Sequence, residues 1–159
     1  MSGALVEALS GDGDLADVME IDRVSFSSPW TPEMYRAEQQ NPGVSSIVVL
    51  RIPECRVAGY CSYWFVVDEI HVNNVAVRPE YRRRGLGTRL VERVLEDGRR
   101  RGAVRVLLEV RSANLAARQL YEQMGFTVLG VRRAYYREPV DDALMLSRDI
   151  QNLESNPNA

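Results

Sequence analysis

Lysine is absent from the 159 residues, and all 20 basic residues are arginine. A P-loop needs a lysine after its glycines, so this class of nucleotide site is excluded. Cysteine and histidine are scarce, with Cys55, Cys61 and His71 as the only examples. They are too few for a disulfide framework, a credible zinc site or a histidine-dependent nucleophile. We therefore expect no metal, and chemistry that uses carboxylates, hydroxyls, phenols or backbone groups.

Long apolar runs are also missing, because no stretch of about eighteen apolar residues occurs, and this predicts no membrane association. The first residues contain no basic region followed by an apolar stretch, so we see no secretory signal and expect a cytoplasmic protein. A hydrophobic content of 45% with a net charge of -2 is typical of a soluble chain. The length predicts a single domain over residues 1–150, followed by a disordered tail at 151–159.

The pattern of apolar and turn residues predicts a mixed α/β fold with a central sheet of about seven strands and helices on both faces. We expect strands at residues 4–9, 46–52, 57–67, 70–77, 104–110, 127–132 and 143–147. We expect four helices. The first carries the apolar stripe of residues 15–26, and the second begins at Pro32 after the N-cap Thr31. The third begins at Leu86, and the fourth covers residues 114–124 before Gly125.

A strand, helix, strand crossover occupies residues 70–110. Such a crossover predicts that the strand ending at Val77 runs parallel to the strand ending at Val110. The carboxyl ends of the two strands then lie on the same side of the sheet, where α/β proteins form ligand crevices.

The turn at residues 78–88 has the character of a phosphate site. Gly85 and Gly87 allow the backbone to approach a ligand, a helix N-terminus follows, and three arginines, 82–84, precede them. A solvated basic patch for nucleic acid is the simpler alternative, but the net charge is negative and no aromatic residues are interleaved, so we expect no nucleic acid partner. An NAD-binding turn needs a third glycine where Leu90 stands, but Glu109 falls where the ribose-binding acid of that motif would be. An NAD-binding module is therefore kept as a weaker alternative, and the antiparallel strands before the turn count against it.

In this turn the chain resembles the GNAT acyltransferase superfamily, whose acetyl-coenzyme A signature matches Arg82-x-x-Gly85-x-Gly87. Further segments follow in the order found in RimI-type ribosomal-protein-alanine N-acetyltransferases, over about residues 5–150. These segments are Ser28-Pro29-Trp30, Leu108-Glu109-Val110-Arg111-Ser112-Ala113-Asn114, Leu120-Tyr121-Glu122-Gln123-Met124-Gly125-Phe126 and Arg132-Arg133-Ala134-Tyr135-Tyr136.

The resemblance implies acetyl-CoA as cosubstrate, in a cleft between splayed parallel strands. The backbone that would pair with the pantetheine arm belongs to Val75, Ala76 and Val77. The backbone N–H groups that would hold the pyrophosphate belong to Arg83, Arg84, Gly85, Leu86, Gly87 and Thr88. Asn114 would contact the cofactor near its thiol end. The family usually has serine where this chain has Ala113, with Ser112 one place earlier.

Transfer of an acetyl group to an amine needs a base for the amine and an acid for the departing thiolate. The resemblance gives these roles to Glu109 and Tyr121. Without the resemblance, Glu109 is better interpreted as a strand residue that faces the surface or forms a salt bridge with Arg105 or Arg111. Tyr121 is then better interpreted as a core aromatic residue.

The expected activity is direct attack by a protein N-terminal α-amine on acetyl-CoA, with the N-terminal alanine of a ribosomal protein as acceptor. A lysine side chain or a small-molecule amine is the alternative acceptor, and a CoA-binding sensor without catalysis is the alternative from another class. Aromatic residues that are candidates for a peptide channel are Trp30, Trp64, Tyr135 and Tyr136. Acidic residues that are candidates for facing a basic peptide are Asp68, Glu69, Asp141 and Asp142.

Overall fold

A mixed sheet of seven strands organises the chain in the computed structural model, which describes residues 3–150. The strands are β1 (Leu5–Ala8), β2 (Ser45–Ile52), β3 (Cys55–Val66), β4 (Glu69–Val77), β5 (Arg105–Arg111), β6 (Thr127–Arg137) and β7 (Val140–Asp149). The helices are α1 (Gly11–Ser25), α2 (Pro32–Gln39), α3 (Leu86–Arg101) and α4 (Leu115–Gln123), with a 3-10 turn at Pro79–Tyr81. The strand order is β1-β2-β3-β4-β5-β7-β6, which confirms the predicted mixed α/β class.

The predicted crossover is confirmed by the pairing of its two strands. Strands β4 and β5 are parallel, with Glu69 opposite Arg105 and Val72 opposite Leu108. The pairs β1/β2, β2/β3, β5/β7 and β6/β7 are antiparallel. Strand β7 returns beside β5 and leaves β6 as the outer strand, so the order of the last three strands in the sheet differs from their order in the sequence.

The described residues form two compact units, the first of residues 3–64 and 73–93 and the second of residues 65–72 and 94–150. The core of the first unit contains the apolar stripe of α1. Val18 and Ile21 are fully buried there with Val49, Val57 and Tyr60. Each such aliphatic side chain contributes roughly 1.5–3 kcal/mol through its burial.

In the second unit, β5 alternates strictly between a buried and a half-buried face. Val106, Leu108 and Val110 are buried, whereas Glu109 and Arg111 are half-buried on the opposite face. The antiparallel partner β7 continues this pattern, since Leu108 faces Leu146 and Glu109 faces Met145. Glu109 is therefore placed on the polar face of this part of the sheet by the two-residue period of the strand.

The predicted helices and strands are all present, but the last two strands, β6 and β7, are longer than predicted and the first helix begins earlier. Thr31 caps α2 as expected, because its side-chain oxygen accepts the Met34 N–H at 3.2 Å. The Gly-Asp-Gly-Asp segment, predicted to precede the first helix, is instead its first turn. Asp14 explains the difference, because it is buried, accepts the Ser10 N–H at 2.9 Å and pairs with Arg51 at 2.7 Å.

Cys55 and Cys61 are free thiols in β3, the first half-buried and the second buried, and burial raises the pKa of the Cys61 thiol. Within residues 3–150, none of the helices combines the length and the apolar character that crossing a membrane requires. The tail predicted to be disordered lies outside the described residues, and the prediction of a single domain stays a prediction.

Candidate active site

The end of β4 holds the predicted pantetheine-binding residues in the first unit. The Arg78 N–H donates to the Ala58 carbonyl at 2.7 Å, and a Cβ added at Gly59 would lie 2.7 Å from the Ala76 carbonyl oxygen. The backbone groups of Ala76 therefore point toward β3, and glycine at 59 permits this close approach. Backbone groups of successive strand residues alternate in direction, so those of Val75 and Val77 point toward the opposite edge of β4.

The predicted phosphate turn follows directly and contains two left-handed residues, Arg83 with φ 65° and Gly85 with φ 74°. Glycine adopts this conformation freely, whereas a non-glycine residue held there is strained, and such strain is common in ligand-binding turns. Nothing lies within 4 Å of the Cβ position at Gly85, so this part of the turn is open. Arg82 Nε donates to the Val77 carbonyl at 3.1 Å, and Arg84 pairs with Glu54 at 2.9 Å.

Helix α3 begins immediately after Gly85, and its first helical hydrogen bond runs from the Arg89 N–H to the Gly85 carbonyl at 3.3 Å. The N–H groups of Leu86, Gly87 and Thr88 precede this bond and have no carbonyl partner within the helix. Together with the helix dipole they form a positive end that suits an anion. The first unit thus brings together all the residues predicted for pantetheine and pyrophosphate.

Glu109 lies on β5 in the second unit, with 29% of its side chain exposed. Its Oε1 atom is 3.5 Å from Nη1 of Arg132 on β6, so neither Arg105 nor Arg111 is its partner. Arg105 pairs instead with Glu69, and Arg111 donates to the carbonyls of Pro139 at 2.8 Å and Glu138 at 3.2 Å. The alternative reading of Glu109 as a salt-bridged strand residue is thus right about the ion pair, but the partner is Arg132.

Asn114 caps helix α4, since its Oδ1 atom accepts the Ala117 N–H at 3.2 Å. The displaced serine does not disturb this cap. The Ala113 N–H is accepted by Oδ2 of Asp141 at 3.0 Å, and the Ser112 N–H by the Asp142 carbonyl at 2.9 Å. Backbone donors and two aspartates therefore fix the strand-to-helix connection in which Ala113 stands.

Tyr121 is 7% exposed, and its ring packs edge-on against Phe126 with centroids 5.6 Å apart. The burial agrees with the reading of Tyr121 as a core aromatic residue, and its position on α4 is the one predicted for the acid. A depression of about 440 Å³ beside α4 is lined by Phe126, Val128 and Leu146 among others. It contains none of the predicted site residues, so we give it no part in the site.

The two tyrosines predicted for a peptide channel lie on β6, with ring centroids 5.2 Å apart and nearly perpendicular planes. Arg132 lies 5.6 Å from the Tyr135 ring and Arg111 lies 4.1 Å from the Tyr136 ring. Burial, and then the charge of Glu109, raises the pKa of Tyr136. Sequence reasoning did not assign Arg132 or Arg111 to the site, and the signal that could have found them was their presence within the matched segments that contain Glu109 and the two tyrosines.

The other channel candidates have structural partners inside the first unit. Trp64 Nε1 donates to Glu38 at 2.7 Å, and the Trp30 N–H donates to the buried Asp22 at 2.8 Å. Three of the acidic candidates are similarly engaged: Glu69 pairs with Arg105, Asp141 accepts the Ala113 N–H, and Asp142 accepts the Ala134 N–H at 2.8 Å. Packing and hydrogen bonding therefore account for these residues without a bound peptide.

Comparison with known proteins gives one family match, to the acetyltransferase (GNAT) family over residues 15–126. A Bacillus subtilis protein provisionally named [ribosomal protein bS18]-alanine N-acetyltransferase is 37% identical over 84% of this chain and 87% of its own. The Salmonella typhimurium [ribosomal protein bS18]-alanine N-acetyltransferase is 32% identical over 86% of this chain and 92% of its own. The crystal structure of the ribosomal-protein-S18-alanine N-acetyltransferase from Escherichia coli superposes with a TM-score of 0.84 at 28% identity, covering 98% of both chains.

Proposed function

Since this chain belongs to the acetyltransferase (GNAT) family, we propose that it transfers an acetyl group from acetyl-CoA to the N-terminal α-amine of a protein. The acceptor is the N-terminal alanine of a ribosomal protein. The observation that carries the proposal is the similarity, over 84% and 86% of the chain, to two relatives whose names state this activity.

The residues of the first unit fit acetyl-CoA as cosubstrate. The open turn at Gly85 and the amides at the start of α3 suit a pyrophosphate, because both offer N–H donors without a competing side chain. The residues assigned to it are Arg83, Arg84, Gly85, Leu86, Gly87 and Thr88. The backbone of Val75, Ala76 and Val77 is assigned to the pantetheine arm, with Val75 and Val77 supplying the groups that point away from β3. Asn114 is assigned to the thiol end.

Glu109 acts as the general base in this proposal. Its carboxylate, through a water molecule, takes a proton from the acceptor ammonium, and the freed lone pair attacks the thioester carbonyl in a direct ternary complex. An α-amine has a pKa near 8 and a lysine side chain a pKa near 10.4, so the α-amine is roughly a hundredfold richer in its neutral form at pH 7. A carboxylate is therefore a sufficient base for an N-terminal acceptor.

Tyr121 acts as the general acid. As the carbon–sulfur bond breaks, its phenol proton passes to the departing thiolate and yields free CoA, and the second proton that the acceptor nitrogen loses on becoming an amide restores the phenol. The burial of Tyr121 favours this role, because a phenol packed against Phe126 has few orientations available to its ring. The protein groups that transfer protons in this scheme are a carboxylate and a phenol, and the scheme needs neither a metal nor an acyl-enzyme.

A thiol-release assay with acetyl-CoA tests the acceptor class. One peptide begins with a free alanine, and a matched peptide is blocked at its N-terminus and carries one internal lysine. We expect turnover of the free N-terminus alone, confirmed by a mass increase of one acetyl group on the first residue.

Each other outcome selects a different function. Turnover of the lysine peptide alone would move the activity to side-chain acceptors while keeping the chemistry. Failure of both peptides, with tight CoA binding measured by calorimetry, would support a small-molecule acceptor or a CoA-binding sensor.

A further inference from the structure

The ion pair of Glu109 is built from two strands that are not neighbours in the sheet. Glu109 lies opposite Met145 of β7, and Arg132 lies opposite Ala143 on the other side of β7. The Arg132 side chain therefore extends across one strand to place Nη1 at 3.5 Å from Oε1. Oε1 is the carboxylate oxygen nearest to the guanidinium, and within residues 3–150 no hydrogen bond to the other oxygen, Oε2, is seen.

Arg132 is itself held in place by the hairpin of β6 and β7. Its guanidinium lies 5.6 Å from the Tyr135 ring, which packs on the Tyr136 ring at 5.2 Å, and Arg111 lies 4.1 Å from that second ring. Arg111 lies on β5, two residues after Glu109. These contacts form an open series from Glu109 through Arg132, Tyr135 and Tyr136 to Arg111, and both of its ends lie on β5.

Arg111, the second cation of this series, binds backbone carbonyl groups. Arg111 donates to the Pro139 and Glu138 carbonyls at the tip of the hairpin, so its guanidinium fixes that backbone. Arg132 is the cation that contacts the carboxylate. With 55% of the Arg132 side chain exposed, the pair contributes little to folding stability, and its effect on orientation is the more consequential one.

We infer that Arg132 is a positioning residue for Glu109, an inference that rests on the proposed role of Glu109 as base. By holding Oε1, Arg132 restricts the rotation of a flexible side chain and presents Oε2 to the acceptor. A reacting group that loses its orientation slows the reaction without weakening cofactor binding. The loss of Arg132 should therefore lower kcat and leave the KM values of acetyl-CoA and of the acceptor nearly unchanged.

The test compares Arg132→Gln, Arg132→Lys, Glu109→Gln and the double variant with the wild-type protein, using the acceptor that the wild type turns over. Arg132→Gln should lower kcat about tenfold while changing the KM of acetyl-CoA and of the acceptor less than about twofold. Arg132→Lys should recover most of kcat, because a lysine ammonium can reach the same oxygen. In the Glu109→Gln background, Arg132→Gln should change kcat less than about twofold, because nothing remains to be positioned.

Arg133→Gln is the matched control, since Arg133 is the adjacent arginine and makes no ion pair within residues 3–150; it should retain wild-type kcat. Three results would overturn the inference while leaving the base in place: full activity of Arg132→Gln beside an impaired Glu109→Gln, an effect confined to the acceptor KM, or multiplicative losses in the double variant. Full activity of Glu109→Gln would instead remove the base assignment, and the inference with it. Thermal unfolding of each variant separates these results from misfolding, and Arg132→Lys keeps the test open if Arg132→Gln does not fold.

Discussion

The phenol of Tyr60 donates a hydrogen bond to Oδ1 of Asp22 at 2.8 Å, and both side chains are buried in the first unit. The other carboxylate oxygen of Asp22 accepts the Trp30 N–H, and the Tyr35 hydroxyl lies 3.4 Å from that of Tyr60. One buried carboxylate therefore joins α1, β3 and the segment that leads to α2. Buried polar networks of this kind specify a unique packing only while every member has its partner.

Tyr60→Phe should lower the free energy of unfolding by about 1–3 kcal/mol, because it leaves one oxygen of a buried carboxylate without its donor. Urea denaturation followed by far-UV circular dichroism measures the change. Tyr135→Phe, in a half-exposed tyrosine, is the control and should stay within about 0.5 kcal/mol of the wild type. A loss in Tyr60→Phe no greater than in this control would contradict a stabilising role for the network.

The same buried phenols predict the response to alkali. Burial raises the pKa of Tyr35 and of Tyr60, so at pH above about 10 the unfolded chain loses protons that the folded chain keeps. The stability that these two phenols contribute is fully present below about pH 10 and falls as the pH rises, by about 1.4 kcal/mol per pH unit for each group. The buried Cys61 thiol adds a loss that begins near pH 8.5, since burial also raises its pKa.

Urea midpoints between pH 8 and pH 11 give the slope of this decline. The chain has no lysine, so no lysine ammonium titrates in this window. Tyr60→Phe should show a slope that is shallower by the contribution of one group. An identical slope in the variant would mean that Tyr60 ionises alike in the folded and unfolded chain.

Glu109→Gln should lower kcat about a hundredfold at neutral pH and regain part of the rate at higher pH, where more of the acceptor amine is already neutral. Steady-state rates of CoA release across pH 6.5–9.5 measure both effects. Glu122→Gln, an exposed residue of α4, is the control. Wild-type turnover in Glu109→Gln would remove Glu109 as the base.

Tyr121→Phe should slow acetyl transfer by about tenfold or more while the Kd of CoA stays within about twofold, because only the proton donor is lost. Stopped-flow thiol release gives the rate, and calorimetry gives the affinity. Equal turnover, with a stable fold, would leave Tyr121 with a purely structural role against Phe126.

Gly87→Glu should abolish CoA binding, because it introduces a side chain and a negative charge at the start of α3, where N–H groups are proposed to hold the pyrophosphate. Calorimetric titration with CoA measures the loss. Gly43→Glu is the control, since nothing lies within 4 Å of its Cβ position and it is outside the proposed site. Retained binding in Gly87→Glu would mean that the phosphates bind elsewhere.

Local signals made much of the fold predictable from the sequence. Thr31 and Pro32 give the start of α2, and Gly125 marks the end of α4, because capping depends on residues that are adjacent in the chain. The start of α1 was not predictable in this way. It depends on Asp14, whose partner Arg51 lies in β2. Such a contact between distant residues cannot be predicted from the local sequence.

The same distinction applies to the candidate site. Glu109 and the turn at Gly85 were identified by motif, but the partner of Glu109 was not. Arg132 lies within reach of the carboxylate because β6 pairs with β7 and β7 pairs with β5. The order of strands in the sheet is a long-range property, and the periodicity of β6 alone does not encode it.

The cap of α4 limits what Asn114 can offer to any molecule bound beside it. Its side-chain oxygen is already occupied by the Ala117 N–H, so the amide nitrogen is the group left to face outward. That nitrogen only donates hydrogen bonds, and it therefore selects for an acceptor such as a carbonyl oxygen. An aspartate in its place would preserve the start of the helix yet repel that same acceptor, so the amide serves both the fold and the chemistry with its two different atoms.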